Sequence, residues 1–224
     1  MRISDLSRKS GVPVATIKFY LREKLLPPGT LTGRNQAIYG DVHLRRLLLI
    51  RSFTNIAQLD LSSVGELLSA IADDGLPLPG LYEAADRAVF GVDPSATGSA
   101  EVNHAKIEVN EFLDKLGWRI SADTPAAGRL AQVLVALRAL GCECGIEFFE
   151  PCAQAAERFA AQELDLVPED LDRTERAPAV VRSVMLGVAT AALHRMAREH
   201  LVNERFANSA VTHGSEVPQP APVG

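Results

Sequence analysis

Two groups of residues in this chain have the types and spacing to do chemistry. The first is sulfur: Cys142-x-Cys144-x7-Cys152 gathers all three cysteines into one short stretch. Thiolates so placed would select a soft ion such as Cu(I), or act as a redox dithiol. The segment between the last two, Gly145-Ile146-Glu147-Phe148-Phe149-Glu150-Pro151, is bulky and aromatic rather than a pliant ligand loop. Three cysteines also fall short of an iron–sulfur cluster. We therefore expect these thiols to fill a helical core as small apolar groups, with metal ligation by Cys144 and Cys152 as the alternative. The histidines offer no ligand pair: His194 and His200 lie six residues apart, on different faces of a helix, and His43 and His104 stand alone. No nucleophile–base–orienter set and no glycine-rich phosphate loop is present, so neither an enzyme nor a cofactor is expected.

The second group is cationic. Residues 1–54 hold ten Lys/Arg against three acids, a formal +7, which leaves −12 on the rest of a chain whose net charge is −5. A basic head on an acidic body predicts that the head meets a polyanion. Within the head, Lys18 and Arg22 are four residues apart and share one helix face. Thr16 can reach a base edge with its hydroxyl or methyl, and Tyr20 can donate its hydroxyl to a phosphate oxygen. Arg34 and Arg45 are further candidates for the sugar–phosphate backbone or minor groove, and Arg46 beside them is as well placed for a solvated face. The odd cysteine count and the lack of an apolar leader point to a reducing, cytoplasmic setting. No uninterrupted apolar run reaches the length of a membrane span, so no membrane partner is expected.

The elements that must hold these cations are short and sharply punctuated. Ser4–Ser10 reads as a helix that Gly11 terminates, and Pro13 opens a second helix running to about Lys24. Ile17, Leu21 and Leu25 form the inward stripe of that second helix. Pro27-Pro28-Gly29 stops it. Two β-capable runs, Thr30–Thr32 and Ala37–Tyr39, flank a Gly33-Arg34-Asn35 turn and predict a hairpin with Arg34 at its tip. Asp41 can cap a third helix to about Phe53, which carries Arg45 and Arg46. Ser63 with Glu66 forms a possible capping box for a fourth, which Asp73-Asp74-Gly75 ends. This succession is a winged helix-turn-helix, whose second helix enters the major groove.

Residues 1–74 resemble the DNA-binding domain of the mercury-resistance-regulator (MerR) family. The resemblance is carried by Val14-Ala15-Thr16-Ile17-Lys18-Phe19-Tyr20-Leu21-Arg22-Glu23-Lys24-Leu25-Leu26-Pro27-Pro28, by Tyr39-Gly40-Asp41 at the wing exit, and by Asp60–Leu68. The family typically shows Thr-Ile-Arg-Tyr-Tyr-Glu and then Gly-Leu-Leu-Pro-Pro. This chain departs from it with Phe19 for a common tyrosine and Ala37 where a wing arginine is usual. The resemblance implies a homodimer on a near-palindromic promoter, DNA distortion that RNA polymerase reads indirectly, and a sensing region that follows the head. It also implies that two cysteines with seven residues between them can mark a copper-type sensor.

The architecture expected overall is mainly α: the winged helix-turn-helix over 1–75, a linker with a short helix and loop over 76–100, an all-helical dimerisation and effector-sensing domain over 101–207, and a disordered tail over 208–224. The body is read as helices at 101–116, 126–140, 143–164 (interrupted at Pro151) and 179–207, with 101–117 as the pairing helix and Ile107 and Leu140 in the core. Trp118, Phe148, Phe149, Cys152, Met185 and His194 could line a pocket for an organic small-molecule effector. The alternatives are a thiol-based metal or redox sensor using Cys142, Cys144 and Cys152, and a constitutive architectural DNA-binding protein. A helical body of this size argues against the latter.

Overall fold

Glycine and proline set the first corner. Helix α1 (Ile3–Ser10) ends on Gly11, whose φ of +68° suits a residue without a side chain. Pro13 is the N-cap of α2 (Val14–Arg22). Side chains satisfy the turn between them. Ser7 Oγ donates to the Val12 carbonyl at 2.6 Å, and Ser10 Oγ donates to the Leu6 carbonyl at 2.7 Å while accepting the Val12 N–H at 3.2 Å. The structure, a computed structural model, describes residues 1–33, 36–91, 99–120, 123–168 and 173–207. Helix α2 ends at Arg22, short of the expected Lys24, because Lys24 takes the left-handed conformation at φ +59°. That reversal turns Leu25 and Leu26 inward, where they are 7% and 1% exposed.

Strands β1 (Thr30–Gly33) and β2 (Gln36–Ile38) pair antiparallel, with Thr30 opposite Ile38 and Leu31 opposite Ala37. Arg34, expected at the hairpin tip, lies outside the described residues. Helix α3 (Asp41–Asn55) follows, then α4 (Leu61–Ala72). The cap of α4 is Asp60, not Ser63: its carboxylate accepts the Ser63 N–H at 2.9 Å and the Ser63 hydroxyl at 2.8 Å. A carboxylate one position before the helix reaches the unpaired N–H groups better than a hydroxyl already inside the first turn. Leu6, Val12, Ile17, Leu26, Tyr39 and Leu47 form one core beneath these elements, with Tyr20, Leu21 and Leu44 packed on its edge.

The stretch expected as a linker is a packed helix. Pro77 and Pro79 open α5 (Leu78–Phe90) rather than interrupting it, and Leu81, Ala84, Ala85 and Ala88 are buried as α5 packs on α4 and α7. Helices α6 (Ala100–Leu116) and α7 (Pro125–Ala139) pair around a second core of Ala105, Val109, Phe112, Leu113, Ala127, Ala131 and Leu134. The apolar face of α6, expected to pair with a second copy, is thus occupied by α7 of the same chain. Ile107 and Leu140, expected inside, are 56% and 81% exposed. A 3-10 turn (Ile146–Phe149) leads into α8 (Glu150–Leu164), with Pro151 in its first turn and no residue of α8 buried.

Helix α9 (Arg173–Ala207) begins before Pro178, which it tolerates near its start, instead of at residue 179. The chain divides into two units inside this helix: Met1–Val184, and the stretch from Met185 onward. Considered by itself, the second unit exposes Leu186, Leu193, Met196, Leu201, Val202 and Phe206 at 40–63%. By length and composition alone Glu175–Phe206 is apolar enough to cross a membrane, although it holds no uninterrupted apolar run of that length. Average hydropathy passes over Arg182 and Arg195, whereas a run stops at them. The tail expected over 208–224 lies outside the described residues.

Candidate nucleic-acid interface

Helix α2 is held by its inner face and presents its cations outward. Ile17 is fully buried, while Lys18 and Arg22 are exposed on the outer face. Thr16 is half-buried, two residues before Lys18 and off the face that Lys18 and Arg22 share. Tyr20 is half-buried against the head core, and burial pushes its phenol up from the ordinary value, so its hydroxyl remains a donor at neutral pH. Arg22 lies over the Phe19 ring, 5.7 Å from its centroid. The residue that departs from the family's tyrosine is therefore a platform that orients a guanidinium. Arg45 is exposed on α3. Thr16, Lys18 and Arg22 lie on one helix, the two cations on one exposed face.

The neighbouring arginines of α3 have a different task. Arg46 Nε donates to the Leu25 carbonyl at 2.6 Å, just past the end of α2, and burial lowers the pKa of its guanidinium from the ordinary value. Arg51 Nη1 donates to the Ser10 carbonyl at 2.8 Å, at the end of α1. A Cβ at Gly11 would lie 2.5 Å from that same Nη1, so the turn glycine also makes room for the clamp. Guanidinium groups on the carbonyl ends of helices meet both unpaired acceptors and the negative end of the helix dipole. Sequence reasoning saw Arg46 as a surface or phosphate-facing cation and did not place Arg51. The only signal was their spacing along a helix whose apolar stripe sits next to them.

Behind the reading helix, Phe19, Leu25, Leu61, Gly65, Glu66 and Arg87 border an open concavity of about 800 Å³. Its mixed charge does not suit a phosphate. The other candidate residues are scattered. Trp118 and Phe149 pack on the α6–α7 core, Phe148 is 67% exposed with its ring edge-on to Phe149, and Cys152 is exposed. Met185 and His194 belong to the second unit. The cysteines are not core fillers: Cys142 and Cys152 are exposed and Cys144 is partly so. They sit on turns and on a helix with no buried face, where sequence hydrophobicity says nothing about cover. Among the described residues, no group of three or more His, Cys, Asp or Glu side chains is placed to hold a metal ion.

A winged helix-turn-helix with cations on the outer face of its second helix defines a DNA-binding transcriptional regulator. Comparison with known proteins agrees. Residues 1–71 match the MerR HTH family regulatory proteins. The HTH-type transcriptional regulator ZntR homolog of Haemophilus influenzae is 28% identical over 115 residues, covering 51% of this chain and 82% of that protein. The crystal structure of SCO5550 from Streptomyces coelicolor A3(2), assigned as a transcriptional regulator, is 30% identical. It superposes with a TM-score of 0.64 over 92% of this chain and 98% of that one. The chain belongs to the MerR family.

Proposed function

We propose that the chain binds promoter DNA as a homodimer and changes transcription in response to a small organic effector. The observation that carries the DNA half is the outward pair Lys18 and Arg22 on a helix whose inner residue, Ile17, is fully buried. Thr16 and Arg22 face the groove, Lys18 on the same helix meets a phosphate at its rim, Tyr20 and Arg45 hold further phosphates, and Arg34 acts from the wing. Two copies would present two recognition helices to a near-palindromic site. The apolar surface of α9 from Leu186 to Phe206 supports a second copy, because a helix apolar on several faces is normally covered. The effector acts by favouring one of two protein states that deform the promoter differently, so RNA polymerase is an indirect partner. Trp118 and Phe149, on the edge of the α6–α7 core, are the best-supported wall of an effector site. The working location is the cytoplasm, with no enzymatic role and no membrane partner.

Exposure of the thiols favours a second reading over core filling: a sensor of a Cu(I)-like ion or of oxidants through Cys142, Cys144 and Cys152. One experiment addresses both. Thermal unfolding of the purified chain is followed with Cu(I), thiol oxidants and lipophilic organic cations, alongside its affinity for a duplex selected by the chain from a random-sequence pool. A ligand of the folded state raises the melting temperature. Stabilisation by an organic cation with altered duplex affinity supports the first reading, and stabilisation by Cu(I) that Cys144→Ser removes supports the second. Equal affinity for selected and scrambled duplexes would refute the regulatory reading itself.

A further inference from the structure

Arg176, in the second turn of α9 and within the first unit, is only 5% exposed. Its guanidinium is bound by main chain. Nη1 donates to the Leu76 carbonyl at 2.8 Å, and Nε and Nη2 donate to the carbonyls of Ile71 and Ala70, each at 3.3 Å. Ala70 and Ile71 lie in the last turn of α4, and Leu76 lies in the turn into α5. The last carbonyls of a helix have no helical N–H to accept, and they carry the negative end of its dipole. A planar fork can reach several such acceptors at once, which an ammonium cannot. On the same face of α9, Ala179, Val180 and Val184 are 2%, 0% and 6% exposed. On its flank, Arg182 Nη1 donates to the Leu166 carbonyl at 2.8 Å, just past the end of α8. The opening turns of α9 therefore hold the carbonyl end of the head's last helix and the carbonyl end of α8 together.

We infer that Arg176 is a positioning residue for DNA recognition: it fixes the reading head to the start of α9 and so sets the spacing of half-sites that a dimer accepts. The inference rests on the two-headed reading above. Arg176 is buried and cannot itself meet DNA. Its reach to the reader runs through packed elements: α4 packs on α3 and α5, and α3 clamps the ends of α1 and α2 with Arg51 and Arg46. A head released from α9 keeps its contact residues and loses its fixed angle.

The test compares the full-length wild type, Arg176→Ala and Arg176→Lys on three duplexes. One carries the two-fold site selected by the wild type from a random pool, one lengthens the half-site spacing by about two base pairs, and one keeps a single half-site. The wild type should prefer the selected spacing by roughly tenfold or more, and both variants should fall to about twofold or less. Single-half-site affinity should stay within about twofold of wild type, with one cooperative unfolding transition retained. Arg176→Lys, which keeps the charge and the stem, decides the matter if Arg176→Ala does not fold. A spacing preference that survives in the variants overturns the inference alone, as does a parallel loss on the single half-site. A wild type indifferent to spacing removes the two-headed reading and this inference with it.

Discussion

Lys18→Ala separates contact with DNA from support of the fold. Lys18 is exposed on the outer face of α2, so its truncation should change stability by no more than about 0.5 kcal/mol. A phosphate contact contributes about 0.9 to the slope of log affinity against log salt. With one Lys18 in each of two heads, the slope should flatten by about 1.8. Between 50 and 200 mM salt, that reduces the loss of affinity by about tenfold relative to wild type. Arg46→Ala is the control from the neighbouring helix. Its half-buried guanidinium holds the Leu25 carbonyl, so the slope should be nearly unchanged while stability falls by about 1.5–3 kcal/mol. Fluorescence anisotropy of a labelled duplex across a KCl series gives the slopes, and urea unfolding gives the stabilities. The assignment of roles fails if Lys18→Ala leaves the slope unchanged, or if Arg46→Ala flattens it as much.

Three further outcomes follow from local geometry. Lys24 sits at φ +59°, so Lys24→Gly should stabilise the head by about 0.5–1 kcal/mol while Lys24→Ala should not; equal effects in urea unfolding would show that the turn is unstrained. Asp60→Ala removes the cap of α4 and should cost about 1 kcal/mol at neutral pH. The hydrogen bonds from Ser63 hold the Asp60 carboxyl below its ordinary value, so this contribution is present above the ordinary aspartate range and fades as pH falls through the lowered value. Melting curves of the variant should converge on wild type in acid. Asp86 is shifted the other way, first by burial and then by the charges of Glu163 and Glu83. Its folded-state pKa is raised, so it favours the fold below the ordinary carboxylate range and weakens it as pH rises through the raised value. Asp86→Asn should therefore raise the melting temperature at pH 7 and not at acid pH, and a uniform shift would exclude titration as the cause.

The head was legible because its signals are local. Gly11, Pro13 and Pro27-Pro28 punctuate the chain one element at a time, and the stripe through Ile17 needs only its own helix to declare which side faces in. Local signals also misled where a neighbour decides. Pro77, Pro79 and Pro151 read as breaks, yet each sits before or within the first turn of a helix, where a missing N–H costs little, and α9 runs on through Pro178. Ser63 looked like a cap until Asp60 reached it. The cysteines are apolar enough for a core, but α8 presents no buried face. Arg176 had no signature at all, since its partners lie about a hundred residues earlier in the chain. Placing Lys18 and Arg22 on an outer face needed only a helix and its register. The effector pocket needs tertiary neighbours, and its candidates ended up on different elements and in both units.

The clamping arginines of α3 also bear on how fast DNA is found. Arg46, half-buried, and Arg51, exposed, each commit one nitrogen to a carbonyl oxygen, while their positive charge still contributes to the field outside the head. Charges tied in this way draw a duplex in from a distance and are less free to grip it on arrival. The tally of cations in this segment therefore speaks to the pace of encounter, and the smaller outward set governs how long the complex lasts.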